Sequence, residues 1–322
     1  MRKTASALAA ALVAAGCCMT GVRAASAPPA LTPPTVAQQA PHVMVIVEEN
    51  RNEADVIGSS DAPYINTLAN RYGQATASYA QSHPSLPNYL ELLSGSTQGV
   101  RDDGTGYTFA GPTLVDELAL QGITWRAYME GMPSPCYGGA ATGRYAKKHD
   151  PFMYFTSITR DAAECKNVVP SGRLSADLGT TSAPDFMWVT PDLCNDGHDC
   201  STATADSWLS TTLPMVLDSP WFSSNGVVIV TWDEGTGSAG CCSGAAGGHV
   251  ATIVVSSRIT QHLTAPEPVD HAGVLRTIEQ LYGVPLLGDS ACACSGSLAA
   301  LVQSPTPAPV AAQTWLTVPH FR

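Results

Sequence analysis

Two apolar runs in this chain end in carboxylates. Val43-Met-Val-Ile-Val47 has no polar alternation and is largely β-branched, which predicts a strand buried on both faces. Glu48, Glu49, Asn50 and Arg51 follow it directly. Val227–Thr231 repeats the design, and Trp232, Asp233 and Glu234 follow. Ile123–Met129, Phe186–Thr190 and Val250–Ser256 predict further buried strands. Helical spacing predicts helices over Ala62–Tyr72, from Tyr89 onward, Thr113–Gln121, Ala203–Leu217 and Asp270–Tyr282. Asp61 is the expected cap of the first, and Pro214 is expected to break or kink the fourth. Strands alternating with helices predict an α/β fold: a mostly parallel central sheet with helices on both faces. Ligands of such sheets bind just beyond the carboxyl ends of the strands, where the acids stand.

Composition agrees with a globular chain. Of 322 residues, 44% are hydrophobic and 13% charged, enough for one large α/β domain or two smaller ones. Sixteen Lys and Arg stand against 27 Asp and Glu, a net charge of −11 that argues against nucleic acid as a partner. Met1-Arg-Lys, an Ala/Leu/Val run and Val22-Arg-Ala24 read as a signal peptide over residues 1–24, so the expected location is secreted or periplasmic. The apolar run is too short for a stable membrane span; lipoprotein anchoring at Cys17 is the alternative. Residues 25–41 read as a Pro/Ala-rich linker, 42–303 as the catalytic domain and 304–322 as a tail. Eight cysteines follow the leader. In an exported protein they suggest disulfides, Cys194–Cys200 and Cys136–Cys165 first. Cys241, Cys242, Cys292 and Cys294 are left with connectivity open.

Three polar stretches add candidate chemistry. Ser82-His-Pro-Ser-Leu-Pro-Asn88 places Ser85 in a loop and Asn88 at the mouth of a helix, where free N–H groups hold anions. Ser85 is thereby a candidate nucleophile, and His83 a possible second contact to the same anion. Pro191–Cys200 crowds Asp192, Asp196, His198 and Asp199 into one short loop suited to metal or phosphate. Lys147-Lys148-His149 lies in a loop-rich region, 134–170, and reads as solvated, with lining of a substrate cleft as the alternative. Two acid pairs brought together at strand ends repel unless a cation offsets them. Walker, GxSxG and HExxH motifs do not occur.

Taken in order, Glu49-Asn-Arg after a strand, Ser85-Leu-Pro-Asn88, Pro191-Asp-x3-Asp-x-His198, Thr231-Trp-Asp-Glu234 and Gly248-His249 resemble a secreted phosphoesterase family. That family holds bacterial and fungal acid phosphatases and bacterial phospholipases C, within the alkaline phosphatase superfamily. The resemblance implies an alkaline phosphatase-like fold with Ser85 as nucleophile. It implies that Glu49, Asn50, Asp233 and Glu234 ligate one divalent cation and that Asn88 hydrogen-bonds a phosphoryl oxygen. His198 and His249 fall where distant members bind a second metal, and here they would contact phosphate directly. Asp196 would orient His198 or act as a ligand. Oxygen donors favour Ca²⁺ or Mg²⁺, with Zn²⁺ possible.

The expected activity is therefore hydrolysis of small phosphate monoesters through a phosphoserine. The larger phospholipase C members carry C-terminal β domains, whereas a Pro/Ala stretch follows the core here, which favours a small substrate. A phospholipase C or other phosphodiesterase acting on phospholipid is the alternative at the same site. A non-catalytic secreted metal-binding protein is the alternative from another class.

Overall fold

A computed structural model describes residues 41–242 and 244–302. The expected leader, with Cys17, and the tail lie outside the described residues, as does the linker up to residue 40.

The sheet strands are β1 (His42–Glu48), β2 (Gly73–Ala75), β3 (Trp125–Met129), β4 (Val168–Pro170), β5 (Phe186–Thr190), β6 (Gly226–Trp232), β7 (Thr252–Ser256) and β8 (Leu263–Ala265). They form one sheet in the order β8-β2-β7-β6-β1-β5-β3-β4. Only β7 runs against the rest, pairing antiparallel with both β6 and β2. The expectation of an α/β fold with a mostly parallel central sheet holds. The apolar runs sit at the centre because only central strands are covered on both faces; β1 and β6 are buried almost end to end.

The main helices are α1 (Pro63–Arg71), α2 (Ser85–Ser94), α3 (Thr202–Leu217) and α4 (His271–Tyr282). α1 packs on α3, and α2 packs on α4. Successive strand side chains point to opposite faces. Glu49 meets Tyr89 of α2, whereas Glu48 feels the charge of Asp206 from α3, so the two pairs cover the two faces.

Local signals set most boundaries. Thr113 and Asp116 form a capping box at the start of Leu114–Leu120, and Asp270 caps α4, which stops at left-handed Gly283. Pro214 lies inside α3 without ending it. The expected Asp61 cap of α1 does not form. Ala62 holds that position without a side-chain bond, and Asp206 of α3 accepts from the Tyr64 and Ile65 N–H groups instead.

Four disulfides are present among the described residues. Cys136–Cys165 and Cys194–Cys200 form as expected, and the remaining cysteines pair locally, Cys241 with Cys242 and Cys292 with Cys294.

Candidate active site

β1 and β6 are adjacent and parallel, with Glu48 opposite Trp232, so their carboxyl ends deliver both acid pairs to one place. The strands stay joined past the last pair, where Asp233 donates its N–H to the Glu48 carbonyl at 2.9 Å. Asn50 then adopts a left-handed conformation, φ 51°, tolerable for asparagine, and its N–H donates to Asp233 Oδ1 at 3.1 Å. The Glu234 N–H donates to the same oxygen at 2.6 Å, while buried Asp233 Oδ2 has no hydrogen-bond partner among the described residues. The Arg51 guanidinium ties this turn to the 191–200 loop, donating to the Asn50, Gly197 and Cys200 carbonyls and to Thr202 Oγ1.

Ser85 is the first residue of α2 rather than a loop residue, and it is buried. Its Oγ lies 3.2 Å from Glu49 Oε2 and 3.2 Å from Glu234 Oε1. One helical turn on, the Tyr89 hydroxyl donates to Glu49 Oε1 at 2.5 Å. The i, i+4 spacing that puts Tyr89 beside Ser85 was the available signal for it. His83 also reaches the site: Nδ1 contacts Glu234 Oε2, and Nε2 contacts the Gly237 carbonyl at 2.8 Å.

Asn88 has a different task from the one expected. Its amide donates to the Ser82 and Pro84 carbonyls and accepts from the Ser82 N–H, which engages it in shaping the turn before Ser85. His249 also makes its contacts elsewhere, with Nε2 3.1 Å from the Thr76 carbonyl and its ring 5.2 Å from that of Tyr79.

A second half of the site carries nitrogen. Buried His149 has Nε2 3.1 Å from Glu49 Oε1 and Nδ1 3.3 Å from Asp196 Oδ2, and neither contact is aligned as a hydrogen bond. Its ring stacks on Tyr89. Asp196 Oδ1 accepts the main-chain N–H of His198, whereas the His198 ring turns its Nδ1 to Asp199 at 2.8 Å. Glu49, His149 and His198 each offer a ligand atom, and these atoms all lie within 4.8 Å of one another. This mixed nitrogen and oxygen set suits a metal ion, including the borderline cations that accept imidazole. The expected donor set, all oxygen, lacked these histidines. His149 was missed because Lys-Lys-His reads as surface, although Phe152, Met153, Tyr154 and Phe155 just after it are the apolar signal that the segment folds inward.

Burial dominates the electrostatics. Glu49 is held well above the usual carboxyl range by burial, then by Asp233 and Asp196. Burial, then Glu234, pushes Asp233 up to about 7, and burial pushes Asp196 to about 8. Burial, with Lys148 and His198, holds His149 well below its ordinary value, so its ring is neutral with a free lone pair. Burial tends to lower His83, but its hydrogen bonds to Glu234 and Gly237 raise it overall. Glu48, on the other face, is raised by burial and then by Asp196, and neither of its oxygens has a hydrogen-bond partner among the described residues.

A doubly covered α/β sheet with a buried serine set among carboxylates at adjacent strand ends is suited to hydrolysis of an anionic ester. Residues 58–285 match the Phosphoesterase family, and the chain belongs to it: it is a hydrolase of phosphoric esters. It is 32% identical over 249 residues to a phosphatidylinositol-3-phosphatase of Mycobacterium tuberculosis, covering 77% of this chain and 78% of that protein. It is 29% identical over 223 residues to a phosphate-repressible acid phosphatase of Penicillium chrysogenum, covering 66% of this chain and 53% of that one. The chain thus spans about half the length of such fungal relatives. A solved protein of the alkaline phosphatase superfamily from Vibrio parahaemolyticus has the same fold, with TM-score 0.57 and 13% identity over 82% of this chain and 72% of that one.

Proposed function

We propose that this chain is a metal-dependent phosphomonoesterase of acid phosphatase type, working through a phosphoserine on Ser85. The observation that carries this reading is the buried Ser85 Oγ, 3.2 Å from carboxylates delivered by two neighbouring strands. The donor set fits a cation: Glu49, Asp233 and Glu234 are buried together, and Asp233 Oδ2 has no partner among the described residues. A cation held there by these residues, with Asn50 beside them, would lower the pKa of the serine hydroxyl and offset phosphoryl charge.

Ser85 Oγ attacks phosphorus, and its proton has an acceptor in Glu49 or Glu234. The bond from phosphorus to the substrate's alcohol oxygen breaks, and water then cleaves the phosphoserine. His149 and His198 border the phosphoryl group on the nitrogen-bearing side; His249 and Asn88 act through the surrounding turns. A cleft of about 650 Å³ lies beside Asn50, lined by Arg51, Asp55, Ile57, Asp61 and Thr236.

The similarity to a protein named phosphatidylinositol-3-phosphatase supports a phosphorylated inositol lipid as a substrate to set beside small monoesters. Among the described residues no helix is long and apolar enough to cross a membrane. Export by a leader at residues 1–24 belongs to the same proposal. Ser85→Ala should lower p-nitrophenyl phosphate turnover by about 10³-fold or more while circular dichroism stays unchanged; near wild-type turnover would remove the nucleophile. Hydrolysis of phosphatidylcholine in place of monoesters would favour the phospholipase C reading. Metal binding with no turnover across an ester panel would favour the binding-protein reading.

A further inference from the structure

The two lysines before His149 have different surroundings. Lys147 Nζ donates to the Thr105 carbonyl at 2.9 Å and lies 4.4 Å from the centre of the Tyr154 ring. It holds the 100–105 loop in place. Lys148 instead faces the site. Its Nζ is 3.0 Å from Asp103 Oδ2 and 3.1 Å from His198 Nε2. The other Asp103 oxygen accepts from the Leu86 N–H at 3.0 Å, the first amide after Ser85. A continuous line of contacts therefore runs from the nucleophile's helix through Asp103 and Lys148 to His198. The His198 ring fits this line, because Nδ1 carrying the proton toward Asp199 leaves Nε2 to accept from the ammonium.

A phosphate ester entering here meets Glu49, Asp233 and Glu234, all negative when ionised. Arg51 directs its guanidinium donors at main-chain carbonyls and Thr202, not at these carboxylates or at an arriving ester. An ammonium has three donors. Asp103 and His198 engage two, which leaves one for an oxygen of an arriving phosphoryl group. We propose that Lys148 binds a non-bridging phosphoryl oxygen of the substrate, and that Asp103 positions its ammonium beside Ser85. The inference deepens the phosphomonoesterase reading and rests on it.

The test measures p-nitrophenyl phosphate kinetics, and competitive inhibition by inorganic phosphate, on wild type, Ser85→Ala, Lys148→Met, Lys148→Gln and Lys148→Arg. Methionine keeps much of the hydrocarbon chain and removes the charge; glutamine takes its place if the methionine variant does not fold. The uncharged variants should weaken phosphate inhibition and lower kcat/KM by about 10- to 100-fold, the usual effect of losing a hydrogen bond to a charged group. Lys148→Arg should recover part of both. A folded uncharged variant with wild-type phosphate inhibition overturns the Lys148 role and leaves Ser85 untouched. An arginine variant as impaired as methionine overturns it too, because charge would not be what matters. Wild type without turnover, indistinguishable from Ser85→Ala, overturns the phosphomonoesterase reading and this inference together.

Discussion

Glu49 serves both halves of the site with one carboxylate. Oε2 faces Ser85, while Oε1 accepts from Tyr89 and faces His149. Burial makes its ionised form costly, and the Tyr89 hydroxyl is the group that lowers that cost. Tyr89→Phe should therefore raise the cation concentration needed for half-maximal activity by about 10-fold or more, read by titrating cation back after chelation; an unchanged requirement would remove Tyr89 from the site's support. Asp233→Asn should lose bound metal by elemental analysis, whereas retention of wild-type metal content would exclude Asp233 as a ligand. The acids at both strand tips were legible from the apolar runs before them, and the resemblance to the phosphoesterase family singled out Glu49, Asp233 and Glu234 among them. Lys148 was not legible, and Tyr89 only as a neighbour of Ser85 one helical turn on, since their roles depend on which strand ends face α2 and the 147–149 segment.

At the scale of elements, helix ends depend on tertiary neighbours. α1 looked self-capped by Asp61, yet its first amides reach across to Asp206 on α3. Asp206→Ala should cost about 1–2 kcal/mol in urea unfolding, and Asp61→Ala should stay within about 0.5 kcal/mol; the reverse ranking would restore Asp61. The same lesson holds for α2. Its apolar spacing was visible from Tyr89 onward, but it begins at Ser85 despite Pro87, because proline is tolerated in a first turn. That places Ser85, the proposed nucleophile, on a rigid element and not on a loop.

Across the whole molecule, several buried acids outside the site hold protons near neutrality. Burial raises Glu91 to about 8, Asp150 and Glu279 to about 7, and Asp270 to about 6. The unfolded chain gives up these protons near pH ~4. Between about pH 4 and 8 the folded protein thus binds more protons than the unfolded one, and stability falls as pH rises. His271, lowered by burial to about 4, and His149, held well below its ordinary value by burial, act the other way below about pH 6.5, but they are two groups against these four acids and the raised Glu49, Asp196 and Asp233 of the site. Melting in chelator should therefore occur several degrees higher at pH 5 than at pH 8; the opposite order would show these acids to be ionised in the fold.

The sequence by itself determined the buried strands, the acids at their tips and the serine before a helix. Each is a local pattern: an apolar run without alternation, a charge at its end, prolines that set a turn. Tertiary structure decided that β1 and β6 lie side by side, and so that Glu49 and Glu234 share one serine hydroxyl. It decided that Lys148 and His149, polar in sequence, fold into the site, because the aromatic residues after them have no other core to enter. Such choices depend on distance between segments far apart in the chain, which no local pattern carries.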